Sequence, residues 1–190
     1  MADGIRLSVA NDTVSSTLDR IDRVADNPAA IMADIATFLV QRSQRHIETE
    51  TGPDGKWQPL APRTAAKRSG RGRRGTAHML RVSNRLYSSI TGESSATEAA
   101  VGTNVLYAAI QQLGGTVQIP EREQEIHLVK TNRGQRFARA SAKRAKSRVV
   151  TIGAHTITIP ARPYLYLTDE DAAEIELVAQ EGFRREADLK

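Results

Sequence analysis

The sequence predicts an α+β fold in one domain over residues 1–190, on three observations. Apolar residues recur three and four apart in two stretches, at Ile31, Ile35, Phe38 and Leu39 and at Ala172, Ile175, Val178, Ala179 and Phe183, the spacing of amphipathic helices. Between them, short runs such as Thr116-Val117-Gln118-Ile119 and His155-Thr156-Ile157-Thr158-Ile159 alternate with the period of strands. A chain of 190 residues, 39% hydrophobic but only 4% aromatic, can bury a real but lean core. The expected architecture is a small antiparallel sheet from strands near residues 87–103, 116–119 and 148–159. A long helix from the N-terminal half and a C-terminal helix pack on it.

Each element has a local reason. Ile5 to Val9 alternates as an opening strand, and Asn11-Asp12-Thr13 offers cap chemistry for a helix with an apolar face of Val14, Leu18, Ile21 and Ala25. Asn27 then caps a longer helix with Pro28 at its first position; Gln41 to Glu50 continues it as a more polar end, with His46, Glu48 and Glu50 read as solvated, and it stops by Gly52-Pro53. Pro53-Asp54-Gly55 reads as a turn, after which Trp57 packs onto the helix end. Residues 61–75 read as a flexible basic loop. Leu86 to Ile90 opens a strand, and Ser88 to Gly92 with Glu98 to Gly102 forms a hairpin across Glu93 to Thr97.

Tyr107 to Leu113 is a short helix that Gly114-Gly115 ends in a left-handed cap, and the strand from Thr116 stops at Pro120. Residues 121–148, with little apolar periodicity, read as a basic extended arm. Arg148 to Ile152 and His155 to Ile159 suit a hairpin around Gly153-Ala154. Pro160 to Leu165 is stiff, because two prolines fix two φ angles and push the residue before each out of the helical region. Thr168-Asp169-Glu170-Asp171 resembles a capping box opening the last helix.

The net charge of +5 conceals a segregation. Gly55 to Gly92 holds nine basic residues and no acid, and Ile126 to Arg148 holds eight and no acid, leaving ten basic residues against 22 acids elsewhere. A chain divided in this way can attract its own copies head to tail. The basic blocks also suit counterion-releasing contact with duplex DNA, while Phe137 is the one aromatic residue in the second block, too few for stacking on single strands. Solvated loops are the third reading.

Enzymatic chemistry finds little support. The chain has no cysteine, which excludes disulfides, zinc-thiolate sites and thiol nucleophiles and fits assembly in a reducing cytoplasm. His46, His78, His127 and His155 lack zinc-site spacing, and Gly70 to Gly75 lacks the Gly-Lys-Ser/Thr ending of a phosphate-binding loop. Neither a signal-type apolar core in Met1 to Arg20 nor a bilayer-length apolar run is present, so a soluble, unsecreted protein with no membrane partner is expected.

Five blocks occur in order: Gly52-Pro53-Asp54-Gly55-Lys56-Trp57; Leu86-Tyr87-Ser88-Ser89-Ile90; Val101-Gly102-Thr103-Asn104; Tyr107-Ala108-Ala109-Ile110-Gln111-Gln112-Leu113-Gly114-Gly115; and Ile159-Pro160-Ala161-Arg162-Pro163-Tyr164-Leu165. Together they resemble the phage virion morphogenesis family, the tail-completion or head-tail joining proteins of Mu-like phages, over roughly Ala29 to Phe183. The Arg-rich stretch 61–75 and the long segment 121–148 depart from that pattern. The resemblance implies a structural, non-enzymatic ring subunit at the virion neck, the head-proximal end of the tail, without cofactor or metal. Its implied partners are its own copies in a six-fold ring, tail tube or tail terminator proteins, head-connector proteins, and duplex DNA in the channel. The alternative is a basic, sequence-independent DNA-binding accessory protein.

The candidate subunit-interface residues are Trp57, Tyr107, Arg162, Pro163 and Tyr164, although Tyr164 and Leu165 also read as core. Arg162 on its stiff frame suits a paired hydrogen bond to a carboxylate, within the subunit or between subunits. Contacts to a neighbour or to DNA are assigned to Arg63, Lys67, Arg68, Arg71, Arg73 and Arg74 in the loop. In the arm they fall to Lys130, Arg133, Arg136, Arg139, Lys143, Arg144, Lys146 and Arg148.

Overall fold

The computed structural model describes residues 12–69, 78–132 and 134–189, so the strand predicted at Ile5 to Val9, the Asn11 cap and Arg71, Arg73, Arg74 and Arg133 lie outside the described residues. The fold is α+β. Helix α1, Asp12–Asp26, forms where its spacing predicts but buries no residue. Val14 and Leu18 on its apolar face are 53% and 55% exposed.

Helix α2, Ala29–Thr49, is the axis of the molecule; its 21 residues run about 31 Å at the usual helical rise. Pro28 sits at the cap rather than inside the helix, with no side chain capping it, and its carbonyl accepts the Met32 N–H at 3.0 Å. Ile31, Ile35 and Leu39 are buried as predicted, but the solvated end predicted for His46, Glu48 and Glu50 is wrong at His46. Ser43, His46 and Ile47 are buried, because the stripe continues from Leu39 at helical spacing. Polarity there does not mean exposure: the Ser43 hydroxyl donates to the Leu39 carbonyl at 2.8 Å. The helix ends with Glu50 in the left-handed region, φ 57°. Strands β1, Thr51–Gly52, and β2, Gly55–Lys56, then make a minimal hairpin around Pro53-Asp54.

Part of the predicted loop is helical. Helix α3, Pro62–Ser69, takes proline at its first position, where the missing N–H costs nothing, and continues through alanine, lysine and arginine, all good helix formers. Helix α4, Arg85–Ser88, replaces the start of the predicted strand. A helical turn lets Leu86 and Ile90, four residues apart, both point into the core, where they are 1% and 4% exposed. The hairpin of β3, Ile90–Ser94, and β4, Ala99–Thr103, runs in register from Ile90 opposite Thr103 to Ser94 opposite Ala99. It lies against α2 so closely that a Cβ on Gly92 would stand 2.9 Å from the Ala36 carbonyl oxygen.

Helix α5, Ala108–Leu113, ends at Gly114 with φ 70° and ψ −177°, which is not the left-handed cap predicted. The chain straightens at once into β5, Gly115–Ile119, and a Cβ on Gly114 would sit 2.7 Å from the Ala161 nitrogen. The glycine answers a close backbone approach.

Residues 122–159 contain four more strands: β6, Arg122–Thr131; β7, Gly134–Phe137; β8, Lys146–Ile152; and β9, His155–Ile159. The hairpin predicted between the last two does not form. β9 pairs with β5, Gly115 opposite Ile159, and β8 pairs with β6, Arg122 opposite Ile152. Both pairings keep one register, so Pro120-Glu121 faces Gly153-Ala154 across a single interrupted ribbon. A two-residue turn at Gly153-Ala154 would need positive φ at the glycine, which Gly153 does not adopt. From Gly115 to Thr131 the ribbon spans roughly 55 Å at the usual rise per residue. The predicted arm is thus a paired β structure. Among the described residues the strands form four separate small antiparallel sheets rather than the single one predicted.

Helix α6, Asp169–Glu186, opens with the predicted capping box: Thr168 Oγ1 accepts the Asp171 N–H at 3.1 Å and Asp171 Oδ2 accepts the Thr168 N–H at 2.8 Å. Ile175, Val178, Ala179 and Phe183 pack on Ile31, Ile35 and Leu39 of α2; Ala172, predicted on that face, is exposed. A second core cluster gathers Ile47, Trp57, Met79, Leu86, Ile90 and Tyr164 at the other end of α2.

Candidate assembly site

The extended segment Pro160 to Tyr166 runs past the C-terminal end of α2 and is held from three sides. Its two prolines remove amide donors and keep it out of helical geometry, so side chains and irregular backbone supply its partners. The Gln111 carbonyl of α5 accepts the Arg162 N–H at 2.7 Å. Gln112 grips the segment with both ends of its amide: Oε1 accepts the N–H groups of Tyr164 and Leu165 at 2.9 and 3.0 Å, and Nε2 donates to the Leu165 carbonyl at 2.9 Å. Trp57 Nε1 donates to the Pro163 carbonyl at 3.0 Å.

His46 closes the third side. Its ring stacks on Tyr166 with centroids 3.9 Å apart, and its Nδ1 lies 3.1 Å from the Tyr164 carbonyl, which makes the protonated Nδ1 the donor. Burial lowers its pKa below 6.5, opposed by that hydrogen bond and by Asp171. Asp171 is itself buried and ion-paired to Arg42, which also reaches Glu174 at 2.8 Å. Burial would raise the Asp171 pKa, yet the Thr168 hydrogen bonds, Arg42 and His46 together hold it below 3.8. One network therefore ties the start of α6, the end of α2 and the strap.

Of the predicted interface residues, Trp57, Arg162 and Tyr164 are buried within the chain, Pro163 is half-buried, and Tyr107 is 40% exposed. Tyr164 lies wholly in the core; burial raises its pKa, and its hydroxyl has no hydrogen-bond partner among the described residues. The basic residues split into two sites. Arg63, Lys67 and Arg68 lie on α3, whereas Lys130, Arg136, Arg139, Lys143, Arg144, Lys146 and Arg148 are exposed around the far end of the ribbon. Glu121, Glu123 and Glu125 lie nearer the interruption at Pro120, so the arm grades from acidic to basic along its length.

Sequence reasoning missed Gln112 and His46 as anchors. Gln112 leaves no periodic signal, but His46 follows Leu39 by seven residues on the apolar stripe, a spacing that marks burial. Among the described residues, no group of three histidine or carboxylate side chains could hold a metal ion, and no helix is long and apolar enough to cross a membrane.

A small body with a pinned proline strap and a long charged ribbon belongs among bacteriophage morphogenesis proteins, as its sequence relationships establish. The chain belongs to the phage virion morphogenesis family, whose sequence pattern matches residues 9–183. It is similar to the Mu-like prophage FluMu G protein 2 of Haemophilus influenzae, 29% identical over 171 residues that cover 90% of this chain and 89% of that protein. No solved structure matches it.

Proposed function

We propose that the protein is a non-enzymatic ring subunit at the head-proximal end of a phage tail or at the joint with the head. The observation that carries this reading, beside family membership, is the ribbon. It exposes seven described cations, none in an ion pair among the described residues, on a projection that adds little to the chain's own core. Such a limb has a purpose when neighbours supply the surface it lies on, and cyclic assemblies use contacts between unlike faces. Six copies follow from the resemblance to Mu-like tail proteins. In this reading Tyr107 and Pro163 meet the neighbour directly, while Trp57 and Tyr164 hold the strap that presents Arg162. Tail tube or terminator proteins and head-connector proteins are the next contacts along the particle axis. Imaging intact virions tests the proposal: density for this chain in a closed ring at the neck is expected, and particles complete without it would refute it.

A second reading rests on the same cationic end. A basic protein acting alone would bind duplex DNA with an affinity that falls steeply as salt rises, and Phe137, 76% exposed, lies among those cations. Light scattering without nucleic acid separates the two: a large particle supports the ring, and a small species with salt-sensitive DNA binding supports the accessory protein.

A further inference from the structure

Arg162 is 7% exposed, yet among the described residues no carboxylate lies within ion-pair distance of its guanidinium. Among the described residues its one side-chain contact of hydrogen-bond type is Nε to the Met79 sulfur at 3.3 Å, a weak acceptor. The backbone that carries it is held by Gln111 and by Trp57. Burial lowers the arginine's pKa and Arg68 adds to the effect. Glu50, which opposes it, is already engaged: its Oε1 accepts the Met79 N–H at 2.7 Å and lies 3.5 Å from His78. A buried cation left in this state is costly unless a carboxylate completes it.

Arg162 lines an open groove of about 680 Å³. Leu60, Leu80, Val82, Tyr107 and Ile157 form apolar walls, Arg68 adds a second cation, and no acid among the described residues lines it. A fitting occupant is therefore apolar and carries a carboxylate. Helix α1 has that chemistry: Val14, Leu18 and Asp22 follow one another at four-residue spacing, so they share a face, and all three are exposed. Asp22 makes no ion pair among the described residues.

We propose that this groove receives α1 of a second copy of the chain, whose Asp22 pairs with Arg162 while its Val14 and Leu18 cover the apolar walls. This rests on the ring reading and deepens it: groove and helix are unlike surfaces on one protomer, so the contact repeats head to tail, the kind of contact that a cyclic assembly uses.

The absence of cysteine makes a clean test possible. The full-length double variant Leu18→Cys/Val82→Cys, treated with a mild oxidant both as purified protein and in assembled particles, is expected to give a ladder of covalently joined copies. Neither single variant should do so. Adding Asp22→Asn or Arg162→Gln should lower the yield about tenfold or more, as for loss of one member of a desolvated charge pair. Asp22→Asn alters only an exposed helix face, so its result stands even if Arg162→Gln folds poorly. Particles that contain the double variant without a ladder overturn the contact and leave the ring reading intact. A ladder indifferent to Asp22→Asn overturns the charge pairing. A ladder in the purified protein with no copies in virions supports the contact and refutes the neck placement.

Discussion

Truncating Gln112 should loosen the strap more than any other single exposed-to-half-buried change near it. The side chain makes three hydrogen bonds to residues 164 and 165, at 2.9, 3.0 and 2.9 Å. Each is worth about 1 kcal/mol net, and orphaned partners in a partly buried setting add to the loss, so Gln112→Ala should cost about 2–4 kcal/mol. Gln112→Glu separates the bonds. A carboxylate still accepts from both N–H groups but cannot donate to the Leu165 carbonyl, so it should cost about 1–2 kcal/mol at neutral pH and less once protonated. Urea denaturation reads the global cost, and hydrogen exchange at the Tyr164 and Leu165 amides reads the local one. A Gln112→Ala midpoint equivalent to less than about 0.5 kcal/mol from the parent, with both amides still protected, would refute the strap as described.

Three further outcomes are expected. Tyr164→Phe should be neutral or stabilising by up to about 1–2 kcal/mol in thermal or urea melts, since it removes a buried hydroxyl that has no partner among the described residues; a loss of more than that would reveal a bond the structure lacks. Gly92→Ala should destabilise by about 1–3 kcal/mol, because its Cβ meets backbone at 2.9 Å and β3 must shift off α2; an unchanged melting temperature would contradict that packing. Acid should weaken the fold in two windows. His46 has a folded pKa below 6.5, so the unfolded chain gains a proton first and stability falls as pH drops from 6.5 toward the folded value. Asp171 has a folded pKa below 3.8, so its contribution is complete above 3.8 and disappears as pH falls through the folded value. His46→Gln should flatten the upper window, and a wild-type melting temperature constant from pH 7 to 5.5 would contradict the buried neutral ring.

Helical periodicity was the most legible signal. The stripes on α2 and α6 and the Thr168-Asp171 capping box are local, since spacing and cap chemistry act within a turn or two. The β-region was less legible for the opposite reason. Arg148 to Ile159 has the alternation of a hairpin, but alternation says only that each run is extended and is silent on its partner. β9 pairs with β5 and β8 with β6, which keeps one register along the whole ribbon, and Gly153 does not take the positive φ that a two-residue turn needs. The candidate site was legible in part: the five blocks contain Trp57, Gln112, Arg162 and Tyr164, but their order does not reveal that Gln112 and Trp57 grip the same segment.

By itself the sequence determined the two packed helices, the charge segregation, the stiffness of Pro160 to Leu165 and the family, all properties of residues close together in the chain or of their order. Tertiary structure alone decided that His46 stacks on Tyr166, that β8 and β9 part company, and that Arg162 is buried beside a groove with no carboxylate partner among the described residues. Those outcomes depend on which distant segments share a surface. Burial and pairing are properties of that shared surface, and hydrophobic spacing in one segment carries no information about the segment that will cover it.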